Sequence, residues 1–72
     1  MNAAPHITIR LDEQDLTLPA GHTVADLLAQ LERPPESVGT ALNGQFLRRE
    51  ARASTTLQAG DQVLLFQPIV GG

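Results

Sequence analysis

The sequence ends in Gly71-Gly72, and the chemistry expected there is that of a terminal carboxylate on a stalk without side chains. A free α-carboxyl group is ionised at neutral pH and is a poor electrophile. A partner must therefore convert it to a mixed anhydride before a nucleophile can replace the new leaving group. A sulfur nucleophile would leave a thiocarboxylate, which is ionised and strongly nucleophilic near neutral pH. Glycine has no Cβ, so this end is the thinnest cross-section a polypeptide offers, suited to threading a narrow channel. Fully extended, the stretch from Gln67 to Gly72 reaches roughly 20 Å. Pro68 fixes one φ angle at the base of that stretch, and the β-branched Ile69 and Val70 favour extended backbone. A frayed terminus is the competing account of the same residues.

Other chemistry-bearing residues are sparse. His6 and His22 are the only histidines, and no third ligand is suggested near either, so a metal site is not expected. Ser37 and Ser54 lack a nucleophile motif, and no glycine-rich phosphate loop occurs. Ligand pockets usually need about 300 Å³ or more, which is hard to enclose in so short a chain. The chain is thus expected not to be an enzyme by itself and to bind no cofactor.

The elements that must carry this terminus can be taken from the alternation of residue types. Ile7, Ile9 and Leu11 share one face of a strand, with Thr8 and Arg10 on the other. Asp12 to Asp15 has the length of a four-residue hairpin loop, and Leu16-Thr17-Leu18 resumes the alternation until Pro19 stops it. Thr23 is placed as a helix N-cap, with Asp26 completing a capping box. Val24, Leu27, Leu28 and Leu31 form one helical stripe. Glu32-Arg33 closes the last turn before Pro34-Pro35, which predicts a helix of about three turns. Val38 to Leu42 is a third strand, Asn43-Gly44 a two-residue hairpin turn, and Gln45 to Leu47 a short return strand. Arg48 to Thr56 has no clear period and is expected to be loop or a short helical turn. After a turn at Ala59-Gly60-Asp61, Gln62 to Phe66 is the most continuously apolar run, expected to be a central strand covered on both faces. Two strands, a helix and three strands make an α+β domain of the β-grasp type, in which the first and last strands pair in parallel. The core is expected over about 6–66 of a single domain, 1–72, with 67–72 as an extended tail.

Composition bounds the function. Seventy-two residues allow one small domain, and with no cysteine neither disulfides nor a thiolate metal site can staple it. The 42% hydrophobic content makes folding on aliphatic packing feasible. A net charge of −3, with no basic block, points away from nucleic acid. No apolar run approaches the roughly 20 residues of a membrane span. The N-terminus lacks the basic flank and apolar region of a signal peptide, so a cytoplasmic protein, monomeric when alone, is expected. All five cations are arginine. A chain whose carboxyl end becomes activated gains from having no ε-amine to attack it, although compositional drift explains the same absence.

Gly60-Asp61-Gln62-Val63-Leu64-Leu65-Phe66-Gln67-Pro68-Ile69-Val70-Gly71-Gly72 resembles the C-terminal block of the ThiS family, the bacterial sulfur carriers of the thiamine pathway. Thr23 to Leu28, preceded by Gly21, is similar to that family's helix start. Asn43-Gly44 is similar to its central turn, and Arg48 to Glu50 lies where an Arg-Glu pair is common. The resemblance implies a ubiquitin-like fold. It also implies a ThiF-like adenylating enzyme that uses ATP, and a cysteine desulfurase or related relay as sulfur donor. A ThiG-like thiazole synthase would take the sulfur. Carried over, Gly72 is the acceptor, and Gly71, Val70, Ile69, Pro68, Phe66 and Leu64 meet the partners. Pro68 is also similar to the tail of the molybdopterin-synthase small subunit, so that branch stays open. A ubiquitin-like modifier and a plain interaction module, docking through Val63 to Phe66, are further alternatives.

Overall fold

Five strands and one helix follow from these local preferences, and the computed structural model describes them over residues 5–67. The strands are β1 (His6–Leu11), β2 (Gln14–Pro19), β3 (Gly39–Leu42), β4 (Gln45–Leu47) and β5 (Gln62–Phe66). They form one mixed sheet in the order β2-β1-β5-β3-β4. β5 pairs in parallel with β1 and antiparallel with β3, as the β-grasp reading requires. The helix α1 (Val24–Gln30) buries Val24, Leu27 and Leu28. Val24 and Leu27 pack with Ile9, Leu18, Leu57 and Val63, all within 2% of full burial. Among the described residues no helix is long and apolar enough to cross a membrane.

The capping box is present as expected. The Thr23 hydroxyl accepts the Asp26 backbone N–H at 3.1 Å, and the Asp26 carboxylate accepts the Thr23 N–H at 3.0 Å. That backbone donor, first of all, holds the Asp26 carboxyl below its ordinary pKa, with the Thr23 hydroxyl contact adding to it. Asn43 and Gly44 both take positive φ, 52° and 84°, so the β3–β4 turn is the two-residue type its sequence predicts.

Several expectations need correction. The helix spans two turns rather than three. Glu32 adopts the left-handed region at φ 58°. The Arg33 N–H then reaches Leu28 O at 3.0 Å and the Glu32 N–H reaches Ala29 O at 3.1 Å. That is a Schellman end with glutamate where glycine is usual, so its sequence signal is weak. The first hairpin turns on Asp12 and Glu13 alone, because Asp12 takes φ 54° and frees Gln14 and Asp15 to pair. Pro19 is the last residue of β2, opposite His6, a place open to proline on an edge strand. β3 begins at Gly39 rather than Val38, whereas Arg49–Ser54 is a 3-10 helix, in keeping with the short helical turn expected there.

The largest correction concerns β5. It is central in the ladder, but among the described residues it is covered on one face only, the face across which α1 lies. Val63 is buried and Leu65 packs against the core, whereas Leu64 and Phe66 remain 40% and 42% exposed on the other side.

Candidate functional site

The candidate site is the end of β5 and the open sheet face beside it. Strand register builds this face directly. Ala41 stands opposite Phe46 on one side and opposite Leu64 on the other, so these three form one row across β4, β3 and β5. Residues directly opposite across a ladder share a face. Gly39 stands opposite Phe66 in the next row. The Phe46 and Phe66 rings meet across the two rows, tilted by 44° with centroids 6.3 Å apart. Phe46 is 67% exposed, so the face is an apolar patch in contact with water. Large apolar groups held on the surface of a small domain mark a surface for another macromolecule.

Three devices fix this face. First, Gly39 lies under the Phe66 ring, which sits where a Cβ would go. Second, Asp12 extends the hold of β1 on β5. Its backbone N–H reaches Val63 O at 2.8 Å, and its carboxylate accepts the Leu65 N–H at 3.1 Å. The last strand is thereby anchored just before Gln67. Third, Arg52 is 4% exposed and clamps the segment leading into β3. Its Nη1 donates to Pro35 O at 2.8 Å, its Nη2 to Val38 O at 2.7 Å and its Nε to Thr40 Oγ1 at 3.1 Å. Thr40 in turn donates to Leu47 O at 2.9 Å, tying β3 to β4. Burial pushes the Arg52 guanidinium down from its usual range, and the neighbouring Arg49 adds to that. A groove of about 450 Å³ runs beside Phe46, Phe66 and Gln67, with Val38 and Arg49 also in its wall.

Of the residues singled out from the sequence, Leu64 and Phe66 are on this face. Pro68, Ile69, Val70, Gly71 and Gly72 lie outside the described residues. His6 is exposed at the start of β1, and His22 stands just before the helix cap, on a separate element. Among the described residues no three His, Cys, Asp or Glu side chains are grouped as metal ligands would be. Phe46, Gly39, Asp12 and Arg52 were not singled out. Phe46 was within reach, because a two-residue turn at Asn43-Gly44 forces Ala41 opposite it. The other three depend on contacts far away in sequence.

The ThiS family model matches residues 2–72. The sulfur carrier protein ThiS of Escherichia coli (strain K12) is 42% identical over 64 residues, which cover 89% of this chain and 97% of that protein. The crystal structure of the thiamine biosynthesis protein (ThiS) from Geobacter metallireducens matches with a TM-score of 0.80 at 30% identity, covering 92% of this chain and 100% of that one. A protein designed computationally on the template of human erythrocytic ubiquitin matches with a TM-score of 0.50 at 24% identity, covering 93% of this chain and 95% of that one. That last likeness concerns the fold alone.

Proposed function

The chain belongs to the ThiS family, and on that premise we propose that it carries sulfur for thiamine biosynthesis on the carboxyl group of Gly72. A carboxylate oxygen of Gly72 attacks the α-phosphorus of ATP in a ThiF-like adenylating enzyme, and pyrophosphate leaves. The outer sulfur of the persulfide formed by a cysteine desulfurase then attacks the acyl carbon, and AMP leaves with the oxygen. A second thiol cleaves the acyl disulfide, becoming a disulfide with the sulfur donor as the thiocarboxylate is freed. This thiocarboxylate gives its sulfur to a ThiG-like thiazole synthase. The chain is a protein cosubstrate in this scheme, and ATP is bound by the partner.

The observation that carries the reading is the family match, which runs through the whole terminal block to Gly72. The open face supports it. Phe46, Leu64 and Phe66 provide an apolar docking surface at the base of the stalk, and Asp12 fixes the strand that feeds the stalk. Binding energy gained on that face can be used to hold the slender end in a partner's active site. Ile69, Val70 and Gly71 thread the partner's passage in this reading.

The test is intact mass after incubation with the adenylating enzyme, ATP, cysteine and a desulfurase. We expect the exchange of one oxygen for sulfur at Gly72. Deleting Gly72 abolishes the exchange and leaves the melting curve unchanged. An unaltered mass, with enzymes active on another carrier, refutes the reading. Binding to thiazole synthase rather than to the large subunit of molybdopterin synthase assigns the branch.

A further inference from the structure

A pocket of about 170 Å³ lies between α1 and the Arg49–Ser54 turn. Its lining is aliphatic, from Ala25, Leu28, Ala29 and Ala53, and the exposed Arg33 and Arg49 border it. Small-molecule sites span about 300–1,000 Å³, so this hollow has the size for one side chain rather than for a metabolite. Its charge is at odds with the molecule. The chain carries a net −3, yet three of its five arginines line this pocket, and among the described residues no Asp or Glu does. Arg52 directs its donors inward, to Pro35, Val38 and Thr40, and so leaves the outer positive charge to Arg33 and Arg49. Arg49 also stands close enough to Arg52 to disfavour its charged form, a like-charge repulsion that an anion would relieve. The pocket and the groove beside Phe66 share Pro35, Arg49 and Arg52, so one partner can span both.

We propose that this pocket is a second docking point, taking from a protein partner an aliphatic side chain flanked by Asp or Glu, with Arg49 and Arg33 holding the carboxylate. The fork of a guanidinium suits a carboxylate in two-point contact, and an aliphatic anchor in a fitted pocket is the usual form of a binding hot spot. The inference rests on the carrier reading only for the choice of partner, the adenylating enzyme.

The experiment measures the affinity of that enzyme for the whole chain, for Arg49→Glu and for Ala29→Leu. The first reverses the charge and the second fills the pocket. Each should weaken binding at least tenfold, an order-of-magnitude expectation for losing one good anchor. The Arg49→Glu loss should shrink as salt is raised, and the Ala29→Leu loss should not. Far-UV circular dichroism checks the fold, and Arg33→Glu replaces a variant that unfolds. Wild-type affinity in both variants overturns the proposal. It also falls if deleting residues 68–72 moves the amide resonances of Ala25, Ala29 and Ala53, because the chain's own tail is then the occupant. If the wild type takes up no sulfur, the carrier reading fails by itself. The pocket is then decided by titrating the intact chain with acetyl-Glu-Leu-Asp-amide. Shifts at Ala29 and Arg49 that Arg49→Glu abolishes uphold it, and no shift up to the peptide's solubility overturns it.

Discussion

Gly39→Ala is the sharpest test of how the open face is held. The new Cβ would lie 2.7 Å from Phe66 Cζ and 2.8 Å from its Cδ2, inside the ring's van der Waals surface. Gly39 is not in the left-handed region, so alanine brings no backbone strain. The conflict is therefore with one aromatic ring, which is 42% exposed and free to swing outward. A buried phenylalanine covers about 150–250 Å², so roughly 100 Å² of this one is covered. Losing half of that contact costs about 1.3 kcal/mol at ~25 cal/mol per Å². Loss of the pairing with Phe46 adds ~0.5–1 kcal/mol. Replacing glycine by alanine returns about 0.4–1 kcal/mol through the unfolded chain. The net is a destabilisation of about 1 kcal/mol, or a fall in Tm of about 4–8 °C for a domain of this size. Urea denaturation followed by circular dichroism measures it in the wild type and in a Phe66→Ala background. With the ring gone the penalty vanishes, and Gly39→Ala becomes neutral or stabilising by ~0.5 kcal/mol. Equal destabilisation in both backgrounds would refute the claim that Phe66 is what occupies the space above Gly39.

Further outcomes follow from the same contacts. Leu27→Ala removes a fully buried side chain at the centre of the core and should cost about 2–5 kcal/mol, enough to unfold much of so small a domain in a thermal melt. Arg52→Met keeps the bulk but leaves the Pro35 and Val38 carbonyls without their donor, and should lower stability by ~2–4 kcal/mol in urea titrations. Thr23→Ala deletes the cap hydroxyl at a cost of about 1 kcal/mol. The Asp26 carboxyl has a folded-state pKa below its unfolded value, so its contribution is present above the unfolded pKa and is lost as pH falls through the folded one. A pH-dependent melting series should therefore show Asp26→Asn converging on the wild type only at strongly acidic pH. Glu32→Gly relieves a left-handed backbone at φ 58° worth about 1–2 kcal/mol, partly offset by glycine's greater unfolded freedom, and should raise Tm.

The elements of this protein were legible wherever their cause is local. The capping box at Thr23 and Asp26 needs only a hydroxyl and a carboxylate three residues apart, and the turn at Asn43-Gly44 only two residues that tolerate positive φ. The alternation in Ile7, Ile9 and Leu11, and a helix between two hairpins, were enough to reach a parallel pairing of first and last strands. The patch on β5 was not legible. Val63, Leu64, Leu65 and Phe66 are all apolar, and alternation cannot say which pair faces inward when both faces carry the same residue type. That choice belongs to α1, which covers Val63 and Leu65 and has no counterpart on the far side among the described residues. Arg52 is the converse case. An arginine in a stretch without period reads as surface. It is buried because the Pro35 and Val38 carbonyls and the Thr40 hydroxyl, 12 to 17 positions away, converge on it. Local sequence determines which backbone conformations are favoured, whereas burial depends on which distant segment arrives to exclude water, and only the assembled fold decides that.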